Sequence, residues 1–294
     1  PPVVNDGACR ANSGDSSLHD LMVEAIASRE VKLPVFNPVA LRLQQALHHD
    51  DAKIADIEKM VIEDQALSSQ VLRVANAAFY RGLQPITTIR KAIIRLGIEQ
   101  VANLAMIVSM QQLCRKTSGQ FMAYQEKLWR HALASATGSK WLAEHCGYRH
   151  EADTAFLAGL LHNIGQLALL KIMDDLRTSK AIVADLPETL IVEILDSDMH
   201  TRQGYLLAQK WNLPDQYGVV VRDHHQEPVD TNNTLLLLVR LADQACEKLG
   251  IGLHGDPNVA LAATQEAQTL GLGEITLAEM EILLEDSVAM AQQI

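Results

Sequence analysis

The chain has 294 residues, with 25 basic against 36 acidic side chains and a net charge of −11. Hydrophobic residues make up 48% of it, which excludes wholesale disorder and supplies a large core. The acidic balance argues against a basic nucleic-acid-binding face.

Residues 1–16 are small, polar and aperiodic, and read as a flexible tail with no basic or apolar region of a signal peptide. From Leu18 the apolar residues recur at helical spacing. Leu21 and Ala25 are followed, after Leu33-Pro34, by Val39, Leu43 and Leu47. Ile54, Ile57, Val61 and Ile62 continue the period, as do Leu67, Val71, Leu72 and Ala75. Asn76, after that run, reads as a helix end that satisfies backbone groups, with Arg73 and Tyr80 in the same stretch. Arg90, Lys91 and Arg95 alternate with Ile89, Ala92, Ile93 and Leu96, a helix with one solvated face. Gly97 and Gly165 suit helix ends or close packing. The polar run at 115–120 is the expected seam, dividing an N-terminal helical subdomain at 17–116 from a second helical part at 117–294.

A helix over about 128–144 follows, then an apolar run ending at His162. Further helices are expected after Asp198, a candidate cap, from Pro214 to the pair His224-His225, around Asp243, and over 275–294 with Leu277, Met280, Leu284 and Val288 on one face. β-Branched runs of period two are missing, so the fold class is all-α, with about a dozen helices. The uncharged stretch 155–170 is too short and too polar to cross a bilayer, so no membrane insertion is expected. Cys9, Cys114, Cys146 and Cys246 lie far apart, as suits a reducing cytoplasm and gives no disulfide framework.

Six side chains stand out because they sit on stripes that should face inward. His131 shares one with Leu128, Ser135, Gly138 and Leu142, His200 with Gly204, Leu207 and Trp211, and Asp243 with Leu236, Val239 and Cys246. With His162, His224 and His225 they form a set that suits iron, manganese or zinc inside a helical bundle. Each alone has a plainer reading. A core histidine bonds to backbone, a histidine pair favours a helix C-terminus, and Asp243 has Arg240 or Arg222 as a partner.

The order His131, His162-Asn163, His200, His224-His225, Asp243 resembles the ligand series of HD-superfamily phosphohydrolases, including the HD-GYP phosphodiesterases. Segments such as LPVFNPVALRLQQAL, DQALSSQVLRVANAAFY, AFLAGLLHNIGQLALL and HTRQGYLLAQKWNLP are similar to the HDOD family, the HD-related output domain, over about 33–249. That resemblance implies an all-helical bacterial signalling module that acts through protein contacts, with other signalling proteins or a second copy as partners and no established catalysis. It also marks two departures. Asn163 replaces the aspartate of the HD pair, and Gln166 replaces the lysine of HDxGK, so both read as vestiges of a catalytic site. Two divalent ions would bring +4 against one carboxylate, Asp243, so a stable two-metal centre is not expected. No organic cofactor is expected; the set leaves room for one divalent metal, iron, zinc, manganese or nickel, and its cavity for a small anion or nucleotide. The weaker alternative is a phosphohydrolase with a single-metal site.

Overall fold

The computed structural model describes residues 36–47, 53–77, 85–114, 119–179 and 185–291, together with 21–23 and 26. Residues 1–16, Tyr80 and most of the expected seam at 115–120 lie outside them. By internal contacts, Leu33–Ile294 forms one unit and Pro1–Lys32 another. Among the described residues there are fourteen α-helices and no strand. They are α1 Pro38–Leu47, α2 Ile54–Ile62, α3 Gln65–Ala75, α4 Ile89–Leu96, α5 Ile98–Cys114, α6 Met122–His145, α7 Ala152–Leu161, α8 Ile164–Thr178, α9 Glu188–Asp196, α10 Met199–Lys210, α11 Asp215–Asp223, α12 Thr234–Lys248, α13 Gln265–Leu270 and α14 Glu274–Ala291.

The first five helices pack on one another by the faces their periodicity marks. Val39, Leu43, Ile57, Val61, Leu67, Val71, Ile89 and Ile93 are all buried. Ile62 departs from the expectation: it is 59% exposed, because it lies one position past the inward Val61 at the end of α2. Caps set the starts of these helices, with Asp64 accepting from Leu67 N (2.9 Å) and Thr88 from Lys91 N (3.4 Å). Asn76 does what its place at a helix end suggested. Its amide accepts from Ile86 N and donates to the carbonyls of Leu72 and Ile86, each at 2.8 Å.

The 24-residue helix α6 is the axis of the remainder, with α7, α12 and α14 packed along it. It begins six residues before the expected start. Leu277, Met280 and Leu284 on α14 are buried, as their spacing predicts. The apolar run Arg149–Thr178 is long enough to cross a membrane by composition alone. It is broken at His162-Asn163, and 83% of its most apolar window is buried inside the bundle, where its apolarity serves the core.

Two glycines have separate reasons. Gly97 ends α4 at φ +89, a positive φ that strains L side chains. Gly165, in the first turn of α8, lies against the first turn of α10. A Cβ there would stand 1.8 Å from the carbonyl oxygen of His200. The missing side chain lets two helix starts meet, and it brings His162-Asn163 beside His200.

Candidate metal-binding and ligand site

Five elements deliver the six side chains to one place. α6 carries His131, the break between α7 and α8 carries His162 and Asn163, and the first turn of α10 carries His200. The C-terminal end of α11 carries His224 and His225, and α12 carries Asp243. His162, His200 and His224 are all but sealed from solvent, and His131 is buried. Asp243 is partly open and His225 exposed.

The six fall into two groups. In one, His131 Nε2 lies 3.1 Å from Asp243 Oδ1 and 3.2 Å from His162 Nε2, and His162 Nε2 lies 3.5 Å from Asp243 Oδ1. In the other, His200 Nε2 meets His224 Nε2 at 3.3 Å, with the His225 ring 4.2 Å from that of His224 and 5.2 Å from that of His200. Asn163 joins them: its amide nitrogen is 3.2 Å from His131 Nε2, and its oxygen 3.0 Å from His224 Nε2. The two groups are therefore bridged by a neutral side chain.

Backbone carbonyls settle which ring nitrogen carries a proton. Nδ1 of His131 donates to Ile251 O (2.9 Å), that of His162 to Gly159 O (2.7 Å), that of His200 to Ser197 O (2.8 Å) and that of His224 to Val221 O (2.9 Å). This orientation turns every Nε2 toward the site, the arrangement by which helical proteins prepare imidazoles for a metal ion. With Nδ1 protonated, His200 Nε2 and His224 Nε2 meet as two acceptors, as do His131 Nε2 and His162 Nε2 when neither carries a second proton. A cation or a shared proton relieves such pairs.

The electrostatics separate the groups. Burial lowers His200 to a pKa of about 4, with the charge of His225 adding to it. Burial, and then the neighbouring His162 and His225, push His224 well below the ordinary imidazole value, and burial also lowers His225. For His131 burial is again the largest single effect and acts downward, but the hydrogen bonds and charges of Asp243 and Cys246 together outweigh it and raise the group well above the ordinary value. Burial opposes ionisation of Asp243, yet the hydrogen bond from His131 and the nearness of His162 hold its carboxyl well below the usual range. One group is therefore a proton-holding ion pair, and the other a set of neutral imidazoles.

The donor set fits one divalent cation. The edges of His131, His162 and Asp243, 3.1 to 3.5 Å, suit three corners of a tetrahedral site, and the carboxylate offsets part of the charge. A second ion, at His200, His224 and His225, would have three neutral imidazoles and no carboxylate to offset its charge. The bridge between the groups is an amide with no charge to share, and Asp243 is the single carboxylate among the converging donors.

A pocket of about 650 Å³ opens onto the site, lined deep down by His131, Asn163, Gln166, His200 and Asp243. Its rim is charged, but the cations are engaged: Arg222 holds Asp223 through two bonds (2.6 and 2.7 Å), and His254 holds Asp196. Gln166 is 5% exposed and lines this pocket where the resemblance places a lysine in active enzymes.

Two expectations about neighbours fail. Neither arginine meets Asp243: Arg222 pairs with Asp223, and Arg240 with Glu227 and Glu266. Asp198 stands at the start of α10 but makes no side-chain cap, because its φ and ψ of −51° and −12° are helical rather than extended. Sequence reasoning also missed Ile251, whose carbonyl fixes His131. A backbone acceptor leaves no signature in a side-chain pattern.

The family profile of the HDOD domain matches residues 33–227. An uncharacterized protein of Treponema pallidum (strain Nichols) is 25% identical over 210 residues, 70% of this chain; the chain spans 40% of that relative's length. An HDOD domain protein of unknown function from Geobacter sulfurreducens superposes with a TM-score of 0.74 at 22% identity, over 92% of this chain and 96% of that one. A protein of Shewanella amazonensis SB2B, provisionally named a metal-dependent phosphohydrolase, gives 0.65 at 21%, over 92% and 98%. A Marinobacter aquaeolei VT8 protein, provisionally named for signal transduction, gives 0.67 at 24%, over 92% and 60%. At these identities the structural likeness establishes the fold.

Proposed function

The chain belongs to the HDOD domain family, and from that premise we propose that it is a regulatory signalling module of the cytoplasm that works through protein contacts rather than turnover. Its partners are other signalling proteins or a second copy of itself. The observation that carries the reading is Asn163, whose amide reaches His131 on one side and His224 on the other. A bridging carboxylate there would supply the charge that two divalent ions need, and an amide does not. Gln166 points the same way, since a neutral amide offers developing phosphoryl charge less than a cation does.

One divalent ion, iron, zinc, manganese or nickel, suits His131, His162 and Asp243, and there it would act as a Lewis acid. The chain's own groups orient the imidazoles through the Nδ1 bonds to backbone. A small anion or nucleotide entering the pocket would meet Arg202 at the rim, whose pairing with Asp198 at 4.0 Å is looser than that of Arg222 with Asp223.

Turnover of bis(p-nitrophenyl) phosphate and of cyclic dinucleotides, with manganese or iron(II) added, tests this reading. The expected outcome is no saturable hydrolysis above background. Saturable hydrolysis that disappears in His162→Ala would replace it with the second reading, a phosphohydrolase working at a single metal. That alternative has one observation in its favour: all four buried imidazoles are held with Nε2 turned inward.

A further inference from the structure

The turn that ends α11 carries His224 and His225, and its backbone is held from outside the residues that the family profile matches. Arg240, on α12, is buried, 6% exposed. Its Nη1 donates to the carbonyls of His224 (2.7 Å) and Gln226 (3.1 Å). Its Nε donates to Glu266 Oε1 on α13 (2.6 Å), a residue 2% exposed, and its Nη2 pairs with Glu227. The guanidinium thus spends its rigid fork of donors on one turn and one distant carboxylate. Arg240 also lies one helical turn before Asp243, so the same helix holds the carboxylate of one group and clamps the imidazoles of the other.

We propose that Arg240 is a positioning residue that fixes the His224–His225 wall of the pocket, with Glu266 setting the direction of its guanidinium. The segment after residue 227 is then part of the site, because the clamp and its anchor both lie there. A buried arginine serving only the ion pair with Glu266 would have no reason to reach two carbonyls of the histidine turn. Burial of the pair makes loss of one partner severe, whereas replacing both by apolar groups of similar size spares the fold. The proposal goes beyond the function proposed above, since it holds whether or not the donors take a metal.

The test is histidine labelling by diethyl pyrocarbonate, read site by site by mass spectrometry, on the whole chain. The variants are Arg240→Lys, and Arg240→Met combined with Glu266→Met. In the parent chain His224 is shielded, and exposed His225 reports that the reagent is active. Loss of the clamp is expected to accelerate labelling of His224 about tenfold or more in both variants, with His131 and His162 unchanged. The ring nitrogen resonances of His200, His224 and His225 should shift in Arg240→Lys, while those of His131 and His162 hold. Unchanged His224 labelling in both variants would overturn the proposal. Equal acceleration at all four buried histidines would also overturn it, because that marks general loosening. Metal content does not enter either readout, so a chain that binds no metal leaves this test intact and counts only against the metal reading.

Discussion

Replacing Gly165 by alanine tests the packing that assembles the site. A Cβ at that position would lie 1.8 Å from the carbonyl oxygen of His200, 2.7 Å from its carbonyl carbon and 2.8 Å from Gly204 N. A carbon and an oxygen in contact need about 3.3 Å, so the start of α10 must retreat by about 1.5 Å. The obstructing atoms are backbone, which cannot rotate aside as a flexible side chain would. The cost therefore falls at the upper end of overpacking, about 3 kcal/mol or more. For a chain of this size that lowers Tm by about 6–12 °C. Gly97→Ala supplies the contrast. Nothing lies within 4 Å of its Cβ, so only the positive φ is penalised, at about 1 kcal/mol and about 2–4 °C. The assay is thermal unfolding followed by circular dichroism. The retreating helix would also pull His200 from His224, now 3.3 Å away, so the ring resonances of both should move in Gly165→Ala and not in Gly97→Ala. A Gly165→Ala Tm equal to that of Gly97→Ala would refute the close-approach argument.

Other expectations follow from single interactions. Asp64→Ala removes the cap that accepts from Leu67 N, and chemical denaturation should register a loss of about 1 kcal/mol. Leu284→Ala empties a fully buried position on α14 and should cost about 2–5 kcal/mol by the same measurement; a loss under about 1 kcal/mol would mean that α14 is not a firm part of the core. Burial pushes the Cys146 thiol up to about 11, so its thiolate is scarce at pH 8. Iodoacetamide should alkylate it about a hundredfold more slowly than an unhindered cysteine, gaining close to tenfold per pH unit until about pH 11.

The helical class and the inward stripes were legible because each rests on a repeating local pattern, and the meeting of the histidines because their order resembles a known series. His131, His200 and Asp243 each stood where period 3.6 turns a side chain inward, and their order along the chain matched a known series. What stayed hidden depends on partners far apart in sequence or on backbone. Asp243 and Arg240 are three apart on one helix, so spacing suggested a pair. Glu266 instead captures the guanidinium from 26 residues away, and His131 and His162 take the carboxylate. Asp198 has the right chemistry for a cap and the wrong backbone for it. The carbonyls that fix the imidazole tautomers belong to Ile251, Gly159, Ser197 and Val221, and no side-chain pattern announces them. The clamp at Arg240 was missed for the same reason.

The central claim is that the converging donors, bridged by a neutral amide, have room for one divalent ion and no more. Anomalous diffraction from crystals grown with excess manganese measures this directly. The account predicts no more than a single peak within the shell of His131, His162, His200, His224, His225 and Asp243. Two peaks about 3.5–4 Å apart, with Asn163 between them, would contradict it.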